Sequence, residues 1–242
     1  MSPAVWITPE SDHLETVLGT VAIAQVDLGG VPRGAVLVIS ADGDVEYEVA
    51  QILNDLAVHG YETIAADLTP MQGTDDALIE VVAELVRHLG KRGWQSDQIG
   101  VIGYGRGGRL ALLASSQVGL GAAVSISPSS LFTSDGRLSA EFTQLAATVR
   151  TPWLGMYGAR DPAMPDAACV EMDRTLRRVA PAYTQLVQYP GVGGNFYRKS
   201  SESLEIAASY DYWQRTVEWL NHYVVPRPTP LAEAWRHRQS AS

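Results

Sequence analysis

Two periods of apolar residues alternate along the chain. Ala35 to Ile39 is a continuous apolar run, and Ile99 to Ile102, Ala122 to Ile126 and Trp153 to Tyr157 are short, mainly apolar runs, the pattern of strands buried on both faces of a parallel sheet. Between them the period is 3.6. Val49, Ile52, Leu53 and Leu56 make one helical face, and Leu78, Val81, Val82, Leu85 and Leu89 a second. Ala167 to Val179 is read as a further helix. Ile206, Tyr210, Trp213, Val217, Leu220 and Val224 form a stripe that predicts a last helix lying along the sheet. Glu62 to Ala66 and Tyr183 to Tyr189 add strands, Val5 to Thr8 and Val21 to Val26 two opening strands, and Phe142 to Val149 a short helix. Thr74 is placed to cap the helix that follows it, with Asp75 and Asp76 at the positive end of the dipole. Strand and helix in strict alternation predict an α/β fold, a doubly wound, mostly parallel sheet flanked by helices.

The bulk numbers narrow the class of partner. A chain of 242 residues, 46% of them apolar, is long enough for one large α/β domain, expected over residues 1–225. Pro226, Pro228 and Pro230 open a tail, 226–242, expected to be disordered or to dock through Trp235. A net charge of −9 argues against a nucleic-acid surface, which draws its affinity from clustered Lys and Arg. A small molecule or a protein is the expected partner, with no cofactor or metal, and the oligomeric state is left open. The chain shows neither a basic start followed by an apolar run nor an uninterrupted apolar stretch of ~18 residues, so no signal peptide or membrane span is expected. The single cysteine, Cys169, allows no internal disulfide and points to a reducing, cytoplasmic setting. It shares the spacing of Met172, Leu176 and Val179, which predicts a core position.

Chemistry is concentrated between Gln98 and Ser116, which read as a strand, a glycine turn and a helix. The turn is Gly103-Tyr104-Gly105-Arg106-Gly107-Gly108. It matches the G-x-G-x-x-G dinucleotide fingerprint literally, but the next strand ends in Ser127-Pro128-Ser129-Ser130 rather than in the acidic residue that would hold a ribose hydroxyl. It also has the shape of a nucleophile elbow, G-x-Nu-x-G, with Gly105 in the nucleophile slot.

With the later motifs, the chain resembles the dienelactone hydrolase family of α/β-hydrolases over roughly residues 5 to 224. Gly103 to Arg109 is similar to the family's elbow, GFCxGGR. Tyr157-Gly158-Ala159-Arg160-Asp161-Pro162 is similar to the loop that supplies the acid, and Tyr189-Pro190-Gly191-Val192-Gly193-Gly194-Asn195-Phe196 to YPGAxHGF, which supplies the histidine. The resemblance implies the α/β-hydrolase fold and a catalytic triad, of which Asp161 alone is retained. Gly105 stands at the nucleophile position and Gly194 at the histidine position, and glycine can neither attack a carbonyl nor carry a proton. The expectation is therefore a protein that has lost hydrolysis and serves as a ligand-binding or partner protein. The alternative is a carboxylic ester or lactone hydrolase with a rearranged active site. Ser40, Tyr104 and Arg106 are the expected ligand contacts at the mouth, Ser127 is a further hydroxyl there without a base, and Arg106 or Arg160 is expected to pair with Asp161.

Overall fold

A computed structural model describes residues 6–41, 48–129, 140–162, 164–229 and 232. Its strands are β1 (Glu10–Thr16), β2 (Gly19–Val26), β3 (Gly34–Ser40), β4 (Tyr61–Asp67), β5 (Ile99–Tyr104), β6 (Ala122–Ile126), β7 (Trp153–Gly158) and β8 (Thr184–Tyr189). Its helices are α1 (Val49–Val58), α2 (Asp75–Lys91), α3 (Arg106–Gln117), α4 (Ala140–Ala146), α5 (Asp166–Val179) and α6 (Ser203–Tyr223). The strands form one sheet in the order β1-β2-β4-β3-β5-β6-β7-β8. β2 runs antiparallel to both its neighbours, and every pair from β4 to β8 is parallel.

The apolar runs are the central strands because each must be apolar on both faces. On one face Leu37, Ile39 and Val101 pack with Leu78, Val82 and Leu85 of α2, Leu110 of α3, and Met172 and Leu176 of α5. On the other face Val36, Val38, Ile102 and Val124 pack with Leu53 and Leu56 of α1 and with Tyr212 and Leu220 of α6. Each such side chain contributes about 1.5–3 kcal/mol on burial. Thr74 caps α2 as the sequence suggests, its Oγ1 accepting from Ala77 N at 3.4 Å. Asp75 in that first turn binds Arg109 of α3 at 2.8 Å, tying the second helix to the third.

Three expectations need correction. The first strand is Glu10–Thr16 rather than Val5 to Thr8. An edge strand has one neighbour and a largely exposed face, so ESDHLET carries little of the apolar signal by which strands are recognised. The helix expected at Phe142 to Val149 is α4, Ala140–Ala146. The stripe on the last helix holds at Val217 and Leu220, but in its first turns the inward residues are Ala208 and Tyr212, while Ile206 and Tyr210 are 53% and 69% exposed. Phe196 takes Tyr212 edge-on at 5.9 Å, which turns that part of the helix to a different face.

After α6 the chain runs along the amino ends of the strands. Val225 N donates to Asp97 O, Arg227 N donates to Arg33 O, and the Arg227 guanidinium lies 3.5 Å over the Trp94 ring. Trp235 lies outside the described residues.

Candidate active site

The carboxyl ends of β5, β6, β7 and β8 bring the singled-out motifs together. β5 runs into α3 through Gly105 at φ 51 and ψ −120, a region a side chain enters only with strain. The surrounding glycines are demanded by contact. A Cβ on Gly103 would lie 2.0 Å from Gly107 O, and one on Gly107 would lie 2.3 Å from Ile39 O, so the helix sits directly against the sheet. The first N–H groups of α3 have no partner inside the helix and, with the helix dipole, make its start a place for negative charge.

β6 pairs with β5 so that Ile126 is opposite Tyr104, and Gly105 N donates to Ile126 O at 3.0 Å, which holds the residue before Ser127 against the elbow. Ser127 has φ 47, the only positive value outside glycine among the described residues. Its N–H donates to Met156 O at 2.8 Å, and two residues on Ser129 N donates to Gly105 O at 3.0 Å. The turn after β6 is thereby tied to the elbow and to β7.

Asp161 follows β7. Its loop is pinned by Asp161 N to Gly158 O at 3.0 Å and by Arg160 N to Val192 O at 2.8 Å. A Cβ on Gly158 would lie 2.0 Å from Gly193 O, so the acid loop rests on the glycine loop after β8. The Ser127 hydroxyl donates to Asp161 Oδ2 at 3.3 Å. Gly194 faces this pair: a Cβ there would stand 2.5 Å from Asp161 Oδ2 and 3.1 Å from Ser127 Oγ. The carboxylate and the hydroxyl occupy the room that a side chain at position 194 would need.

The expected mouth residues are not all gathered here. Tyr104 is 1% exposed and packs at a tilt against Tyr197, with ring centroids 5.1 Å apart, which places it in the core rather than on an open surface. Burial, with the neighbouring Tyr212 and Tyr197 hydroxyls and Glu48, drives its phenol well above the usual range. Ser40 is buried at the end of β3, with β5 and β6 between it and β7, and borders a separate depression of about 270 Å³ together with His13, Ala22, Ala65 and Asp67. Arg106 opens α3 and donates from Nη2 to Gly73 O at 3.4 Å, towards the loop before α2. Below Asp161, Tyr157 is pushed well above its ordinary range by burial, then by Cys169 and Asp161.

The chain matches the dienelactone hydrolase family over residues 24–224. It belongs to that family. Two relatives, from Yersinia pestis and Escherichia coli K12, are each named "Putative carboxymethylenebutenolidase". The first is 28% identical over 86% of this chain and 85% of its own length, the second 26% identical over 79% and 78%. Among solved structures, the "Putative Dienelactone Hydrolase" of Klebsiella pneumoniae superposes with a TM-score of 0.72 at 20% identity, covering 89% of this chain and 98% of that one. An esterase of Pyrococcus furiosus superposes with a TM-score of 0.67 at 16% identity, covering 89% and 93%. These likenesses carry the α/β-hydrolase fold.

The expectation of a non-catalytic binding or partner protein is corrected by these findings. It rested on Gly105 and Gly194 alone, whereas the family is one of hydrolases and the relatives carry hydrolase names. The sequence places Ser127 at the mouth but without a base, because its neighbour Asp161 is distant along the chain. No helix among the described residues is long and apolar enough to cross a membrane.

Proposed function

We propose that this protein is a carboxylic ester or lactone hydrolase with a rearranged active site. The observation that carries the reading is Asp161: the family's acid is kept, its loop is pinned on both sides, and its carboxylate accepts a proton donor at the mouth in the space freed at Gly194. A carboxylate so placed takes a proton from an attacking hydroxyl or water and returns it to the departing alkoxide. The N–H groups of Arg106 and Gly107, at the positive end of α3, are the groups available to the negative charge that develops on the carbonyl oxygen. Gly105 leaves the substrate carbonyl room above the strand end. The names of the relatives point to a lactone or enol ester among the substrates. The single cysteine supports a reducing compartment such as the cytoplasm.

A panel of p-nitrophenyl esters and simple lactones tests the reading. Hydrolysis above buffer is expected, with kcat/KM lowered roughly 10²–10⁴-fold by Asp161→Asn at unchanged circular dichroism. Absence of turnover across the panel, or equal turnover in the folded Asp161→Asn variant, rejects it.

A further inference from the structure

We infer that Ser127 is the nucleophile, so that the reactive hydroxyl has moved one strand over, from the end of β5 to the end of β6. The inference rests on the hydrolase reading for its substrate class, but three observations made without that reading lead to it. Ser127 is the sole non-glycine residue at positive φ among the described residues, a costly backbone state that persists only where surrounding structure holds it in place. It is flanked by contacts to the elbow, Gly105 N donating to Ile126 O and Ser129 N donating to Gly105 O, each at 3.0 Å. Its Oγ donates to Asp161 Oδ2 at 3.3 Å, which places a carboxylate base beside the hydroxyl, as a serine nucleophile needs. Gly194 completes the arrangement, since any side chain there would displace one member of the pair.

The chemistry balances within the site. Ser127 Oγ forms a bond to the carbonyl carbon as its proton passes to Asp161 Oδ2, and the carbonyl oxygen takes the negative charge at the start of α3. Collapse breaks the bond to the alkoxide, which receives the proton from Asp161 and leaves as an alcohol; with a lactone it stays tethered to the acyl chain. Water then gives a proton to Asp161 and attacks the acyl carbon, and Ser127 Oγ leaves with that proton. One ester and one water become one acid and one alcohol, and the enzyme is restored.

A fluorophosphonate tests this separately from turnover, because Ser127 Oγ can displace its fluoride while Asp161 takes the proton. Intact-mass and peptide mapping are expected to show one label, on Ser127, absent in Ser127→Gly and formed at least a hundredfold more slowly in Asp161→Asn. Ser127→Gly suits the backbone, since glycine enters positive φ freely, so its loss of ester turnover by at least a hundredfold would report the hydroxyl rather than misfolding. Turnover retained in Ser127→Gly, or a label on another residue or on none, overturns the assignment and leaves the hydrolase reading standing. A label on Ser127 without turnover of any ester or lactone supports the nucleophile and rejects that reading.

Discussion

At the end of β5 the backbone turns through Gly105 at φ 51; at the end of β6 it turns through Ser127 at φ 47. The two residues follow the ends of paired strands, after Tyr104 and Ile126, and differ in what the turn costs. Glycine visits this region freely, so the elbow at Gly105 is relaxed, whereas a residue with a Cβ pays on the order of 1–3 kcal/mol there. The strain is found on the residue that carries a hydroxyl and meets a carboxylate, and is absent where the side chain is absent. The difference teaches that the shape of an elbow and its chemistry are separable: the glycines against α3 preserve the shape at β5, while the contacts to Asp161 sit beside β6.

Altering the space around the hydroxyl should separate the two strand ends most sharply. Gly194→Ala puts a methyl 2.5 Å from Asp161 Oδ2, so the carboxylate must swing away from Ser127. Turnover should fall roughly 10²-fold, as for a misplacement of about 1 Å in a reacting group. Steady-state kinetics with a p-nitrophenyl ester would show this, and an unchanged kcat/KM would mean that the pair at β6 is not the working one.

A smaller effect is expected at the relaxed end. Gly105→Ser imports the strain that Gly105 lacks, about 1–3 kcal/mol, against about 0.4–1 kcal/mol regained from the lower entropy of the unfolded chain. The urea midpoint should therefore fall at unchanged slope. A midpoint equal to or above that of the parent would show that a side chain at position 105 meets no strain in this turn.

The smallest effect concerns the packed floor under both ends. Burial, then Asp173 and Asp166, raises the Cys169 thiol to about 11 from an ordinary 9.0. An acid whose folded pKa lies above its unfolded one contributes stability that is complete below the unfolded value and lost as pH rises towards the folded one. Tyr104 and Tyr157, both raised by burial, act with the same sign at higher pH. Urea midpoints should hold steady to about pH 9 and then decline, and Cys169→Ala should soften the first part of the decline, between about pH 9 and 10.

Much of this architecture is legible in the sequence because it is local. β6 at Ala122–Ile126, the cap at Thr74 and the buried Cys169 follow from runs, spacing and a capping residue. The edge strand β1 carries little apolar signal, and the face of α6 turns on contacts with Phe196 that periodicity does not encode. At the site, the position of Gly194 is set against Asp161, and the turn through Gly105 is tied to Ser129. The partnership of Ser127 with Asp161 spans 34 positions and depends on one dihedral angle and on the absence of a side chain at 194. Those are properties of the assembled fold, which a motif cannot express.

The clasp of Arg227 on Trp94 also decides how the molecule can be handled. It pins the segment after α6 beside Arg33 and Gly93, at the amino ends of the strands, whereas Ser127 and Asp161 stand at the carboxyl ends. A surface tether attached just beyond Thr229 would therefore hold the molecule by its underside, with the mouth facing the solution. A molecule immobilised in this way would present the carboxyl ends of its strands in one orientation.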